Sequence, residues 1–145
     1  MKPVRVRKDV IRIKIAEIRE CVDLVREHLP ETYGEFSGLG LIKDGIYKRM
    51  EFAIEDVFDI CAIINTDSAL GIPGADDDIL DHMAAGIILS LSTIDKIRRM
   101  RGFRNIVVHR YGKIDDHLAF DLLVEELGDF DQFIGEVETF LSRCT

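Results

Sequence analysis

Apolar residues recur along this chain at alternating intervals of three and four, and nowhere at a sustained interval of two. That spacing is how helices bury one face, so it predicts an all-α protein without a sheet. From about Lys8 to Leu29 the stripe is Ile11, Ile15, Ile18, Val22, Val25 and Leu29, closed by Pro30, which cannot continue a helix. The glycine-bearing run from Tyr33 to Gly40 reads as a loop. A second helix is predicted after Asp44, on Ile46, Met50, Ala53, Val57, Ile60 and Ile64. Asn65 to Gly74, with its Pro73-Gly74 pair, reads as the next loop. Asp76, Asp77 and Asp78 then open a short helix over about 77–86, where negative charge suits the N-terminal end of the dipole.

Ser90 or Ser92 can cap the following helix, which the pattern carries to Tyr111, with Gly112 able to close it in the left-handed region. Asp115 or Asp116 caps the last helix, on Phe120, Leu123, Leu127, Phe130, Ile134, Val137 and Leu141. Gly128 and Gly135 fall within that stripe and are expected to permit close approach by a neighbouring helix. Linkers are short and nothing repeats. The expectation is one domain over residues 1–145, an antiparallel helical bundle of four long helices plus one short helix.

Composition sharpens this reading. Of 145 residues, 47% are hydrophobic and 32% charged, a mixture that folds into a globule. A chain of this length buries roughly 68–70% of its unfolded surface, enough to need no disulfide or metal. Cys21, Cys61 and Cys144 lie far apart with no CxxC pair, which suits a reducing compartment. The start shows no signal-like apolar run, and no stretch approaches the roughly 20 apolar residues of a membrane span. A soluble, cytoplasmic protein without membrane contact is expected.

The net charge of −8, taken as one number, argues against nonspecific binding of nucleic acid. Its distribution reads differently. Residues 1–14 carry six Lys/Arg against Asp9 alone, and residues 96–113 carry seven cations and no acid, together thirteen of the nineteen basic residues. Such segregation can place a positive patch on an acidic body, with Arg98, Arg101, Arg110 and Lys113 as candidate contacts to RNA phosphates. A solvated helix face rich in cations gives the same count.

The segment from Met100 to Tyr111 carries the candidate chemistry. Asn105 and His109 are four apart and share a helix face; Arg104 is about one-third of a turn away, and Tyr111 returns to the Arg104 face. Arginine offers a rigid, permanently charged fork for phosphate. Histidine titrates near neutrality, so it can take a proton from a ribose 2′-hydroxyl or give one to a leaving 5′-oxygen. Together they suffice for RNA cleavage without metal or cofactor, leaving a 2′,3′-cyclic phosphate and a 5′-hydroxyl. One helix supplies only one histidine, and a two-fold homodimer would supply two of each. The same residues also fit a basic helix end, with His109 facing the terminal carbonyls, Asn105 hydrogen-bonding there and Tyr111 packing its ring.

The string Gly102-Phe103-Arg104-Asn105…His109-Arg110-Tyr111 resembles the signature of the HEPN superfamily, specifically its HepT-like toxin branch, and the order of helices extends the resemblance over nearly the whole chain. The resemblance implies a dimerising five-helix bundle with the Arg and His of both chains in one cleft. Many such proteins are ribonuclease toxins, paired with a small nucleotidyltransferase antitoxin that in some systems adds AMP to the tyrosine two residues after the histidine. On that basis Arg104 and His109 are catalytic, Asn105 supports the site and Tyr111 is the candidate AMPylation position. The implied partners are a second copy, a cognate nucleotidyltransferase antitoxin and an RNA substrate. Two other functions remain open: a module that binds nucleotide or RNA without cleaving it and engages the nucleotidyltransferase, and a plain helical interaction protein.

Elsewhere the signals are bland. His28, His82 and His117 form no recognisable ligand spacing; Asp78 and His82, four apart with Asp81 beside them, mimic a metal site, but capping aspartates before a helix explain most of that grouping. Gly38-Leu39-Gly40 lacks the third glycine and the strand of a dinucleotide loop. Glu51, Glu55, Asp56 and Asp59 read as a solvated face, with contact to an antitoxin or tuning of His109 as the other possibilities. Phe52, Phe58 and the aromatics of the last helix read as core or dimer interface.

Overall fold

A computed structural model describes residues 5–108 and 114–144. Among them are seven helices: α1 (Lys8–His28), α2 (Tyr33–Ser37), α3 (Leu41–Asp67), α4 (Asp76–Ala85), α5 (Leu91–Val108), α6 (Asp116–Glu126) and α7 (Asp129–Ser142). No strand occurs among the described residues, as the absence of any period-two pattern requires.

The apolar stripe of α1 buries Ile11, Ile15, Ile18, Cys21, Val22 and Val25. The helix stops where Leu29 turns extended, the conformation a following proline imposes. Ion pairs fix the direction of its neighbours. Arg7 meets Asp67 at 3.0 Å and Lys14 meets Asp59 at 3.3 Å, so α3 runs antiparallel to α1. Arg26 meets Asp131 at 3.0 Å, Arg19 meets Glu138 at 3.3 Å, and Lys8 Nζ donates to the Cys144 carbonyl at 2.6 Å, so α7 is antiparallel too. The helices α5 and α7 are likewise opposed, with the Ser90 amide donating to Glu136 at 2.6 Å and Lys96 lying 3.8 Å from Asp129 further along. The side chains between them, including Ile18, Ile54, Ile64, Ile97, Phe130 and Phe133, form the core. No helix among the described residues is long and apolar enough to cross a membrane.

The sequence pattern needs several corrections. The stretch from Tyr33 to Gly40 is not all loop, because α2 forms there. Thr32 Oγ1 accepts from the Glu35 amide at 3.2 Å and donates to the Glu35 carboxylate at 3.1 Å, a Thr-x-x-Glu cap that buries Phe36. Phe36 packs against Tyr47 and Phe120, ring centroids 5.9 and 5.2 Å away. The third helix begins at Leu41, directly after Gly40, whose φ of +62° is cheap only for glycine. The long last helix is in fact two. The chain turns at Leu127 and Gly128, and the Asp131 amide closes onto the Gly128 carbonyl at 3.1 Å. Glycine weakens the helix there, while Asp129 and Asp131 favour a new N-terminus just beyond it. Among the described residues no helix packs closely on Gly128 or Gly135, since a Cβ at either would meet nothing beyond its own stretch of chain within 4 Å.

The ends of α3 and α4 share one construction. Leu70 N–H reaches the Asn65 carbonyl at 3.1 Å and Ala69 N–H that of Thr66 at 3.2 Å; Ile88 reaches Met83 and Ile87 reaches Ala84, each at 3.0 Å. These are Schellman caps. They force Ala69 (φ 51°) and Ile87 (φ 56°) into the left-handed position usually given to glycine.

Candidate functional site

The helix bearing the motif is capped by Ser90, whose hydroxyl accepts from the Thr93 amide at 3.2 Å; Ser92 is not the cap. Glu136 accepts from the Ser90 amide and hydroxyl and from the Thr93 hydroxyl, fastening this end of α5 to α7. Burial raises the Glu136 carboxyl, and these hydrogen bonds outweigh it, holding the group below the usual range. Ile94, Ile97, Met100, Phe103 and Val107 bury the inner face of α5. That leaves Arg98, Arg101, Arg104 and Asn105 on its flanks.

Arg104 is part-exposed, its side chain retaining 37% of its accessible area, and its Nη2 lies 3.4 Å from Glu55 Oε1 on α3. Asn105 is exposed. His109, Arg110, Tyr111 and Lys113 lie outside the described residues, as do the predicted end of the helix at Tyr111 and its Gly112 cap. The chain on either side of them is anchored to one residue of α3. Tyr47 packs against Phe103 with ring centroids 6.4 Å apart, and its hydroxyl donates to Asp116 at 2.5 Å. Lys43 adds an ion pair to Asp116 at 2.7 Å, and Asp115 caps α6 by accepting from the Leu118 amide at 3.0 Å. Burial raises the Asp116 carboxyl, but the Lys43 and Tyr47 hydrogen bonds prevail and hold it below the usual carboxylate range. Burial and the same bond push the Tyr47 phenol up.

The cations of the motif helix are compensated wherever they are described. Lys96 lies 3.8 Å from Asp129 and also donates to Gln132. Arg99 pairs with Asp95 at 2.5 Å. Arg98 and Arg101 both turn to α4: Arg101 Nη1 is 3.0 Å from Asp77, while Arg98 is 3.6 Å from Asp77 and 3.2 Å from Asp81. The hydrogen bond from Arg101, and then the nearby Arg98 charge, hold the Asp77 carboxyl low.

The acidic residues of α3 do not form one solvated face. Asp56 is only 8% exposed, and its carboxyl is pushed up to about 7, first by burial and then by a hydrogen bond shared with Glu17, against the pull of Lys14. Glu55 pairs with Arg104 instead of facing water alone. No local pattern marks that partnership, because the two residues lie 49 apart. Glu55 and Asp56 also line a cavity of about 290 Å³ with Glu17, Glu20, Arg49 and Phe52. The Asp78–His82 spacing has other duties. Asp78 accepts from the Gly74 and Ala75 amides at 2.7 and 3.2 Å, and His82 Nδ1 lies 2.7 Å from Asn65 Oδ1. Among the described residues no three His, Cys, Asp or Glu side chains gather as a metal site would need.

A helical frame with an arginine-bearing motif at the end of its α5 matches a known class. The family model described as Ribonuclease HepT-like covers residues 18–137, and the chain belongs to that family. It is 28% identical over 133 residues to the mRNA nuclease HepT of Shewanella oneidensis, spanning 90% of this chain and 97% of that one. The solved structure of the tri-AMPylated Shewanella oneidensis HEPN toxin in complex with MNT antitoxin aligns with a TM-score of 0.81 at 27% identity, over 90% of this chain and 98% of that one. YutE of Bacillus subtilis, a cytosolic protein of unknown function, shares the fold at a TM-score of 0.79 and 14% identity, over 94% and 92% of the two chains.

Proposed function

We propose that this chain is a metal-independent endoribonuclease that acts as a toxin, with Arg104 and His109 of two copies meeting in one dimer cleft. The observation that carries the reading is the Arg104–Glu55 pair at the part-exposed end of α5, five residues before His109, in a chain of the HepT-like family. Glu55 holds the guanidinium where it can face the phosphoryl oxygens as charge builds on them. One His109 takes the proton of the ribose 2′-hydroxyl as that oxygen attacks phosphorus. The other gives a proton to the 5′-oxygen as the P–O5′ bond breaks, leaving a 2′,3′-cyclic phosphate and a 5′-hydroxyl. Asn105 supports the pair. The partner is a cognate nucleotidyltransferase antitoxin, in keeping with the complex formed by the Shewanella toxin, and Tyr111 is its AMPylation position.

A second reading, a module that binds RNA or nucleotide without cutting, draws on the compensated cations of α5, which give little affinity for bulk nucleic acid. End-labelled RNA incubated in EDTA with wild type and with His109→Ala separates the two. Cyclic-phosphate ends from the wild type alone support the nuclease; intact RNA with both proteins, Tyr111 being unmodified by mass spectrometry, rejects it.

A further inference from the structure

Arg98, Arg101 and Arg104 follow one another at three-residue intervals, so they form one slowly winding row along α5 that leads to the motif. Each of the three ends on a carboxylate from another helix: Asp77 and Asp81 of α4 for Arg98, Asp77 for Arg101, and Glu55 of α3 for Arg104. The α4 carboxylates are placed for this contact by helix geometry. Asp77 and Asp81 are four apart and share the face turned to α5, while Asp78 points back to cap its own helix. Ile79, Leu80 and Met83 are buried, and His82 is bonded to Asn65, so the helix itself is fixed and only the two aspartate side chains need turn away.

We propose that Arg98 and Arg101 form an anion site for the RNA backbone, and that Asp77 and Asp81 are its built-in competitors, occupying the guanidinium forks until phosphates displace them. This rests on the nuclease reading above. A carboxylate and a phosphodiester each offer a guanidinium two anionic oxygens that its fork can bind side by side, so a phosphate can take over the hydrogen bonds a carboxylate gives up. The pairs are half-exposed and therefore individually weak. They cannot block an RNA that makes several contacts at once, but they discourage one that meets this row alone. The consequence is selectivity: a polyanion is held only when it also engages the motif.

The test is binding of a fluorescein-labelled single-stranded RNA at low salt, measured in a His109→Ala background so that nothing is cut. Asp77→Asn with Asp81→Asn keeps the side-chain shapes and should tighten binding roughly three- to tenfold, the yield of a few exposed ion pairs. Adding Arg98→Ala and Arg101→Ala should abolish that gain. Asp81→Asn alone, which leaves Asp77 across both arginines, should give a smaller gain and serves if the double variant melts early. Asp23→Asn on α1 makes the same one-unit change of charge as Asp81→Asn, half that of the double variant, and should leave affinity within about twofold. If RNA binds the parent protein but the α4 variants bind no better than Asp23→Asn, the competitor proposal is overturned and the nuclease reading stands. If none of the proteins binds RNA, both fall.

Discussion

The phenol of Tyr47 donates to the Asp116 carboxylate at 2.5 Å while its ring packs against Phe103, so one residue of α3 holds the chain on both sides of residues 109–113. Tyr47→Phe keeps the ring and removes a bond to a charged acceptor. It should cost about 1–2 kcal/mol of stability in urea unfolding. It should also lower the rate of RNA cleavage, because Asp116 sits five residues after Tyr111 and is then tied by Lys43 alone. Unchanged stability and unchanged cleavage would show that the tether is idle.

If the proposed mechanism holds, substitutions at Arg104 and Glu55 separate chemistry from folding. Arg104→Ala removes a part-exposed side chain, so unfolding should move by less than about 0.5 kcal/mol. Cleavage should fall by about a hundredfold or more, as when a donor to developing negative charge is lost. Glu55→Gln keeps the shape and drops the charge that holds the guanidinium. It should reduce kcat about tenfold with little change in KM, a positioning effect. A rise in KM alone would place Glu55 in substrate binding.

Asp56 gives the protein an acid-side preference. Its carboxyl titrates at about 7 when folded, whereas an aspartate in the unfolded chain titrates near ~3.9. A raised carboxyl favours the folded state while protonated. Its contribution is therefore complete below about 4 and is lost as pH climbs through about 7. After burial, Glu17 and Asp59 add to the shift and Lys14 pulls against it, and Arg49, Glu20 and Glu55 line the same cavity. Urea midpoints of the wild type should fall between about pH 4 and 7 and level off above, and Asp56→Asn should flatten that fall. Parallel curves for the two proteins would assign the titration elsewhere.

Ile87 carries a conformational cost while most of its side chain lies in water. It is a β-branched residue at φ 56° and is 83% exposed. Ile87→Gly should raise stability by about 0.5–1 kcal/mol, the relief of left-handed strain less the freedom glycine adds to the unfolded chain. Ala69→Gly should act in the same direction at the end of α3. A higher urea midpoint with an unchanged slope is the expected result; a lower midpoint would mean that the Ile87 side chain makes contacts worth more than its strain.

Much of this architecture was legible in the spacing of apolar residues, because a helix that buries one face must repeat at its own pitch. The boundaries of α1 and α4, the Asp115 cap and the helical conformation of Met100 to Val108 all follow from local rules. Local rules also existed for what was missed at α2, since Thr32 and Glu35 carry the capping pattern and only the neighbouring glycines obscured it. The break at Gly128 was harder. Its stripe runs unbroken through both helices, and a glycine in a helical pattern marks a weakness without saying whether the chain will turn there. The pairing of Arg104 with Glu55, of Arg98 and Arg101 with α4, and the burial of Asp56 depend on which helices become neighbours. Composition showed cations gathered in one window and could not show that acids from elsewhere would meet them.

The Lys8–Cys144 contact joins residues 136 apart in sequence, and α1 lies between α3 and α7. Its ion pairs to α3 span 45 and 60 residues, whereas those to α7 span 105 and 119. Closing a loop costs more chain entropy the longer the loop, so α1 and α3 can pair first and α7 docks onto a face they have already built. The wall of α1 that α7 supplies is therefore the part of the core whose assembly depends most on the rest being in place.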